Sequence, residues 1–326
     1  FFRKLETDTD INDDFHGNDG PIPVRRHKRE TWLPAQNAFQ EACIAAGYPE
    51  TYDHNNPDAW GVGPFPMNNP NGIRMSTSLS YIDPNRHRLN LTIRGNVLVR
   101  RLLFDGNRAV GVEAESGGEI FNIEADQIVL SAGAIASPHI LMLSGVGPAE
   151  HLTANGIEVV KNIPGVGQNL RDHPLVAVRA KTKEDFPLDP NAPRMQTLLR
   201  YTATGSKDRN DIQIFPSSFS TSLGGDPFAE EGIRLTCMLE LAEGSGEITL
   251  TTTDPTVQPN INCRYLEHPR DRDRLREAVQ IAIGILKHKS FENIVESLIE
   301  PTEKDLESED SLDEWMLSHV WIGQHL

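Results

Sequence analysis

The feature that most constrains the fold of this chain is the stretch QIVLSAGAIASPHILMLSGVG, residues 127–147. An apolar run at 128–130 precedes a turn of small residues, Ser131, Ala132 and Gly133, and a helix is predicted from Ser137. A buried strand, a tight turn and a helix in this order let α/β proteins bring a nucleotide phosphate against backbone N–H groups. The three-glycine fingerprint that usually marks such a unit does not occur in the sequence. The segment therefore predicts an α/β fold with a candidate nucleotide groove, but it does not identify a reaction.

Two regions predict antiparallel strands. Residues 90–124 alternate apolar and polar side chains and are interrupted by Asp105-Gly106 and Gly117-Gly118, which are hairpin signals. Longer alternating stretches follow at 211–219, 233–242 and 246–255, and they predict a second antiparallel sheet. Together with the segment at 127–147, they predict a fold of class α/β plus α+β.

Helices are predicted from apolar spacing and end signals. Thr31 is the expected cap of a helix that has Pro34 in its first turn and Gly47 beyond its end. Further helices are predicted at 149–155, at 271–288 and after a capping box at 311–314. Residues 7–30 and 49–72 are rich in Gly, Pro and polar residues, so both are predicted to be irregular.

Charge and cysteine content disfavour several classes of partner. The net charge is −16, with 47 acidic and 31 basic residues, which disfavours nucleic acid and anionic membrane surfaces. The basic run at 25–29 is interpreted as a solvated loop. Cys43, Cys237 and Cys263 lack metal-ligand spacing, so they are expected to be buried thiols, and no metal site is predicted. The sequence has no apolar run long enough to cross a membrane.

Five stretches occur together, in this order, in one family of enzymes. They are GIRMSTSLSYIDP (72–84), NLTIRGNVLVRRLLFDGNRAVGVE (90–113), GAIASPHILMLSGVG (133–147), IPGVGQNLRDHP (163–174) and GEITLTTTDPTVQPNINCRYLEHPRDRDRL (246–275). The chain thus closely resembles the glucose–methanol–choline (GMC) family of flavin-dependent oxidoreductases, in particular its choline dehydrogenase-like members. The resemblance implies FAD as cofactor. It also implies an activity, the oxidation of an alcohol by proton abstraction and hydride transfer to flavin N5.

The resemblance also implies which residues contact the cofactor. The turn Ser131, Ala132 and Gly133 is expected to lie against the flavin dinucleotide, and the main chain at Val99 against the adenine ring. From the residues alone, Gly133 also fits a simple tight strand-to-helix turn, and Val99 also fits an ordinary strand valine.

A second expected cofactor region is the turn that contains Asn169, Asp172 and His173, which the resemblance places at the border of the flavin cleft. Adjacent loop residues seldom point at each other. We therefore expect Asp172 and His173 to lie near the cofactor rather than to act as a catalytic pair.

His325 is the expected catalytic residue. The resemblance matches it to the family histidine that faces the flavin ring, 11 residues beyond Glu314. An imidazole with a pKa near 6.5 can accept the alcohol proton near neutral pH. His319 is the competing candidate, but it falls within the predicted helix. Without the resemblance, a histidine this near the end of the sequence fits an exposed, frayed residue.

Four segments follow from these expectations. Residues 1–71 are a loop and helix region bordering the substrate cleft, and residues 72–174 are part of the FAD-binding domain with its β-meander. Residues 175–318 are the substrate-binding domain, and residues 319–326 are a return segment to the FAD site. The family's N-terminal glycine fingerprint and its C-terminal end have no counterpart here, so the chain is expected to be an internal fragment, inactive alone, whose partners include the missing portions.

Three functions stay open at this point. The first is an FAD-dependent alcohol oxidase or dehydrogenase acting on a small-molecule alcohol, with its electron acceptor undetermined. The second is a flavin-containing lyase like the hydroxynitrile lyases, and the third is an inactive fragment with only a binding or structural role. Choline, an aliphatic or aryl alcohol and a sugar all stay open as substrates.

Overall fold

A computed structural model describes residues 1–189, 191–220 and 232–321. The helices are α1 (Phe2–Leu5), α2 (Pro34–Ala45), α3 (Gly133–Leu143), α4 (Ala149–Ala154), α5 (Pro269–Leu286) and α6 (Glu309–His319). The strands up to residue 170 are β1 (Glu6–Asp8), β2 (Ile22–Val24), β3 (Gly61–Pro64), β4 (Leu98–Asp105), β5 (Arg108–Ser116), β6 (Glu119–Glu124), β7 (Val146–Gly147), β8 (Lys161–Asn162) and β9 (Gln168–Leu170). The later strands are β10 (Leu175–Thr182), β11 (Thr197–Tyr201), β12 (Ile212–Ser220), β13 (Gly232–Leu239), β14 (Gly246–Thr249), β15 (Asn260–Asn262) and β16 (Val295–Glu300).

The chain forms two compact units, and each contains separated segments of sequence. Unit 1 consists of Phe1–Leu91, Pro174–Leu241 and Pro269–Trp321, and unit 2 contains Thr92–His173 and Ala242–His268. Residues 242–268 therefore interrupt the segment 175–318 that the sequence assigns to one domain. The functional labels of the four expected segments stay predictions.

Unit 1 is built on a six-stranded sheet in the order β16-β10-β13-β12-β11-β3. Neighbouring strands in this sheet run antiparallel. For example, Cys237 of β13 lies opposite Val176 of β10 on one side and opposite Ile214 of β12 on the other. The side chains on this face are buried and pack with α2 and α5. Because side chains alternate along a strand, the neighbouring residues form a second face of the sheet.

The side chain of Gln36 joins α2 to the sheet. Its carboxamide oxygen accepts hydrogen bonds from the Gln196 and Thr197 backbone N–H groups, at 3.1 and 3.0 Å, and from the Thr197 hydroxyl at 2.8 Å. Its amide nitrogen donates to the Ser218 hydroxyl at 2.8 Å. Gln36 is fully buried, so each of these polar groups depends on the carboxamide for a partner.

Arg274 fixes α5 in a similar way. Its guanidinium donates to the Asp211 carboxylate at 2.8 Å, to Asp271 at 2.6 Å and to the Leu241 carbonyl at 3.0 Å. All three charged side chains are buried. A buried guanidinium needs paired carboxylates of this kind, since an unpaired buried charge is strongly destabilising.

Unit 2 contains the three-stranded meander β4-β5-β6 and the sheet β15-β14-β9. One apolar core joins helix α3 to the second of these sheets. Its buried members are Met142, Leu152, Leu170, Ile248 and Leu250.

The structure confirms the mixed fold class and the meander, whose turns fall at Gly106 and Gly117-Gly118 as predicted. The predicted buried strand at 128–130 is wrong. These residues are not in a strand, and Val129 is 76% exposed. A strand needs a neighbour to pair its N–H and C=O groups, and none of the described strands pairs with this segment.

Three predicted helix starts are also corrected. Thr31 lies in a separate 3₁₀ turn, and α2 begins at Pro34 with Leu33 at its cap. Helix α3 begins at Gly133 rather than Ser137. Ser308, not Ser311, caps α6, because the extended backbone at Ser308 directs its hydroxyl to the Ser311 N–H at 3.1 Å.

Three further expectations differ from the structure. Residues 61–64 are not loop but the edge strand β3, where Gly61 and Gly63 leave room for the carbonyls of residues 49 and 51. Strand β14 belongs to the sheet of unit 2 and not to that of β12 and β13. The basic run is not simply solvated, because Arg26 is buried and ion-paired. Within the described residues, no helix has both the length and the apolarity to span a bilayer.

Replacing Gln36 by Ala should lower the free energy of unfolding by about 3 kcal/mol, because several buried N–H and O–H groups lose their acceptor. Urea denaturation followed by circular dichroism measures this change. The matched control is Glu41→Ala at an exposed position of the same helix, which should stay near the wild-type value. Equal midpoints for the two variants would contradict the assigned role of Gln36.

Candidate cofactor and substrate sites

The turn before α3 carries three of the predicted cofactor residues. Ser131, Ala132 and Gly133 are all exposed, and Gly133 has a left-handed backbone with φ +86. Apart from the neighbouring residues and the backbone of its own helix, no atom would lie within 4 Å of a Cβ built at Gly133. The Ala132 N–H donates to the Ser137 hydroxyl at 3.1 Å. The following amides begin the helix and have no carbonyl one turn earlier, so this end of α3 presents N–H donors and a partial positive charge.

The far end of α3 is tied to the meander strand that carries Val99. The Ser144 hydroxyl accepts the Leu102 N–H at 2.8 Å and donates to the Ile140 carbonyl at 2.5 Å. Val99 is partly buried and lies opposite Ala114 on β5. The strand of Val99 and the helix of Gly133 are therefore fixed to each other inside unit 2.

The turn after β9 carries the other three predicted cofactor residues. Asn169 is exposed with a left-handed backbone, φ 59, and its side-chain oxygen accepts from Arg171 at 3.0 Å. The buried carboxylate of Asp172 accepts the Tyr265 hydroxyl at 2.7 Å and the His173 backbone N–H at 2.8 Å. Burial and the hydrogen bond to Asp172 raise the pKa of the Tyr265 hydroxyl, so it stays a donor near neutral pH.

The two turns that carry the predicted cofactor residues pack against one core. Leu170 in β9 and Met142 in α3 are buried in the same cluster. Gly167, which precedes β9, has φ +82, and a Cβ there would lie 2.3 Å from the Ile248 carbonyl oxygen. This close approach favours glycine before the turn.

The predicted catalytic residue, His325, lies outside the described residues. The described chain ends at Trp321, which exchanges two backbone hydrogen bonds with Leu175 at 3.1 and 3.2 Å. His319 is exposed at the end of α6 and stacks on Trp315, with ring centroids 5.1 Å apart.

His54 is a histidine in unit 1 that sequence reasoning did not single out. It is only 3% exposed, and burial together with the nearby Arg200 lowers its pKa to about 3. An imidazole with so low a pKa is neutral near pH 7 but is a weak proton acceptor. His54 therefore fits a structural role better than that of a catalytic base.

Sequence reasoning also missed a buried charged network in unit 1. The Arg26 guanidinium donates to Asp8 at 2.8 Å and to Asp53 at 2.7 Å. His16 lies 2.9 Å from Asp53, 3.2 Å from Asp8 and 3.2 Å from Glu6. Its members are up to 47 residues apart in the sequence, so local spacing gave no signal.

The same network contains a group of potential metal ligands, since Glu6, Asp8 and His16 bring ligand atoms within 4.8 Å of one another. The Arg26 guanidinium already holds Asp8 and Asp53, and a metal ion would have to compete with this positive charge. The arrangement fits an ion-pair network better than a metal site.

Comparison with known proteins identifies the family. The model of the N-terminal GMC oxidoreductase domain matches residues 1–175, and the model of the C-terminal domain matches residues 242–326. The chain belongs to the GMC oxidoreductase family, whose members are FAD-binding oxidoreductases.

Two curated relatives align with the whole chain. An uncharacterized GMC-type oxidoreductase in the thcA 5' region of Rhodococcus erythropolis is 37% identical over 326 residues, which are 63% of its length. The oxygen-dependent choline dehydrogenase of Chromohalobacter salexigens is 32% identical over 351 aligned residues, and the match covers 62% of its length. The chain thus spans under two thirds of the relatives it matches.

Solved structures share the fold. Pyridoxine 4-oxidase from Mesorbium loti aligns with a TM-score of 0.89 at 26% identity, over 99% of this chain and 64% of its own. Formate oxidase from Aspergillus oryzae aligns with a TM-score of 0.86 at 22% identity, over 99% of this chain and 66% of its own, which shows the fold alone.

The charged network predicts a pH dependence of stability. Burial lowers the pKa of His16, but the carboxylates of Asp53, Asp8 and Asp13 outweigh burial and raise it above 6.5. A raised folded-state pKa gives stability that is fully present below about pH 6.5 and is lost as the pH rises through the folded-state value. The difference in unfolding free energy between wild type and His16→Gln should therefore shrink above about pH 6.5.

Chemical denaturation at a series of pH values measures that difference. His87→Gln removes an exposed histidine of the same unit and should give a curve parallel to wild type. A difference that grows with pH for His16→Gln would show that the sign is wrong.

Proposed function

We propose that the protein oxidises the CH–OH group of a small-molecule alcohol with FAD as its redox cofactor. The observation that carries the proposal is the match of GMC family models to both parts of the chain, with an exposed small-residue turn at the start of α3. Among the relatives, the choline dehydrogenase and the pyridoxine 4-oxidase are named for alcohol substrates, which supports this reaction class.

The residues of unit 2 fit a dinucleotide. Ser131, Ala132 and Gly133 lack bulky side chains, and the space beside Gly133 is open, so a phosphate group can approach the first amides of α3. In this proposal Val99 contributes main-chain groups to the adenine, and Asn169, Asp172 and His173 border the cofactor. When bound, FAD supplies the acceptor for the hydride that leaves the alcohol carbon.

The chain's own contribution to the reaction is proton handling, for which we propose His325. Removing the hydroxyl proton makes the carbon-bound hydrogen easier to release as hydride. A histidine of ordinary pKa can take up that proton near neutral pH. His319 is less suitable because it lies on the exposed last turn of α6 and its Nδ1 lies 2.9 Å from the Trp315 carbonyl.

Anaerobic mixing tests the reaction class. The protein, expressed at its natural length and loaded with FAD, is mixed with a panel of alcohols while the flavin absorbance is recorded. Bleaching by an alcohol supports oxidation. A bound flavin that no alcohol bleaches, together with cleavage of a cyanohydrin, would point to a lyase. A folded protein that retains no flavin would point to a binding or structural role.

Gly133→Ala should weaken FAD binding roughly tenfold, because a Cβ would enter the space beside the α3 amides. Gly156→Ala is a matched control in the same unit, since Gly156 also has a left-handed backbone, φ +73, and open space around it. Both variants should lose about 1 kcal/mol of stability from backbone strain. Flavin fluorescence during titration with FAD measures the affinity, and equal affinities for the two variants would count against cofactor contact at Gly133.

His325→Asn should lower kcat by about 10²- to 10⁴-fold, the usual contribution of a general base, while the bound flavin keeps its absorbance spectrum. His319→Asn should retain wild-type turnover. Stopped-flow reduction of the flavin by the best alcohol measures both variants. A large loss in His319→Asn with a small one in His325→Asn would reverse the assignment.

A further inference from the structure

Two arginines lie side by side on the six-stranded sheet of unit 1, on the face opposite α2 and α5. Val178 and Leu235 are cross-strand neighbours on the helix-covered face. The next residues along each strand, Arg179 and Arg234, lie directly opposite each other on the second face. We call these two residues the arginine pair.

Other groups of the same unit surround the arginine pair. Glu300 on β16 lies 3.4 Å from Arg179, between Oε1 and Nη1, and the Arg234 Nε donates to the Ser217 hydroxyl at 3.4 Å. Arg194 stacks over Phe219, with its guanidinium carbon 5.1 Å from the ring centroid. Burial, together with the charges of Arg194 and Arg179, lowers the pKa of the Arg234 guanidinium. An arginine stays protonated despite such a shift, so the positive charges persist.

This arrangement is costly without a ligand. Like charges directly opposite on neighbouring strands destabilise a sheet. Arg179 forms an ion pair with the Glu300 carboxylate. Among the described residues, no carboxylate lies within ion-pair distance of Arg234. The Nη2 atom of Arg179 is buried and has no hydrogen-bond partner among the described residues. The excess charge stands out in a chain whose net charge is −16.

We propose that Arg179 and Arg234 form a subsite for an oxyanion, a carboxylate or phosphate group, on the alcohol substrate. The proposal rests on the alcohol oxidation proposed above. A guanidinium presents paired N–H donors that match the two oxygens of a carboxylate or phosphate, and two adjacent guanidinium groups neutralise such an anion well. The oxyanion would relieve the repulsion within the arginine pair and supply acceptors for its remaining N–H groups.

The subsite narrows the substrate class. A quaternary ammonium such as that of choline would meet like charge near the arginine pair, whereas an alcohol that also carries an acid group would be attracted to it. We therefore expect the acid-bearing alcohols to be preferred over neutral and cationic ones. Arg194 contributes positive charge nearby, but the subsite does not depend on it.

Anion binding is measured first, because it does not need a working redox site. Isothermal titration calorimetry with acetate and with inorganic phosphate, at constant ionic strength, should show saturable binding of at least one anion. Arg234→Gln and Arg179→Gln should each weaken it roughly tenfold, because each removes charge-assisted hydrogen bonds. Arg209→Gln is the matched control, since Arg209 is an exposed arginine of the same unit that pairs with Asp58.

The outcomes distinguish a carboxylate subsite, a phosphate subsite and the absence of an anion site. Tighter binding of acetate indicates a carboxylate-bearing substrate, and tighter binding of phosphate indicates a phosphorylated one. Arg234→Lys keeps the charge with little change in volume. An intermediate anion affinity in this variant would show that the loss in Arg234→Gln comes from the missing charge and not from misfolding. If wild type binds neither anion, or if the Gln variants bind as tightly as Arg209→Gln, the subsite does not exist.

A kinetic measurement then links the subsite to the substrate. The ratio of kcat/KM for an alcohol bearing a carboxylate to that for its uncharged amide should exceed one in wild type. It should fall roughly tenfold in Arg234→Gln and stay unchanged in Arg209→Gln. If no alcohol reduces the flavin while the anion still binds, the proposed function fails and the oxyanion site stands. A ratio of one or below in wild type would overturn the link to the substrate.

Discussion

The architecture of unit 1 depends on a few buried polar side chains that join helices to the sheet. Gln36 satisfies backbone groups at 196 and 197 on one side and the Ser218 hydroxyl on the other. Arg274 joins α5 to Asp211 at the start of the central strands. Apolar burial supplies most of the driving force, but these groups specify where each helix lies, because a shifted helix would leave several of them buried without partners. The arginine pair lies on the other face of the same sheet.

Unit 2 relies on a different constraint, the close approach of backbone segments. Glycines at 145 and 167 occupy left-handed conformations where a Cβ would collide with a carbonyl oxygen. Met142 of α3 and Leu170 of β9 are buried in one small apolar core beside these close contacts. Both turns expected to face the cofactor emerge from this core, and a compact support of this kind suits a site that must hold a large dinucleotide in one position.

Much of the fold could be predicted from local signals. The meander was predicted because its turns carry Asp-Gly and Gly-Gly pairs between alternating strands, and α5 because of its apolar stripe. The strand at 128–130 failed because strand formation depends on a partner that no local pattern reveals. Strand β3 was missed because two of its four residues are glycines, which favour loop by propensity but here permit close contact with residues 49–51. The cap of α6 was misassigned because two serines near its start, Ser308 and Ser311, both fit that role by sequence.

For the candidate site, sequence reasoning could name only residues that lie close together in the sequence, and their roles stay predictions. The small-residue turn at 131–133 and the loop at 169–173 are local in sequence, so family resemblance could identify them. The arginine pair and the network around Arg26 could not be found in this way, because each forms only when distant segments come together. Arg179 and Arg234 become neighbours only through the pairing of β10 with β13, and the sequence alone does not define the register of that pairing.

The path of the chain has a consequence for how the molecule can be divided. Unit 2 receives β14 and β15 from residues 242–268, after the chain has built most of the sheet in unit 1. Strand β9, from residues 168–170, pairs with residues 246 and 247, so its sheet can form only after that later part of the chain has been synthesised. Neither unit corresponds to one continuous stretch of gene, so no single cut would release either of them whole. Recombination between relatives would preserve both units only with crossovers at several junctions.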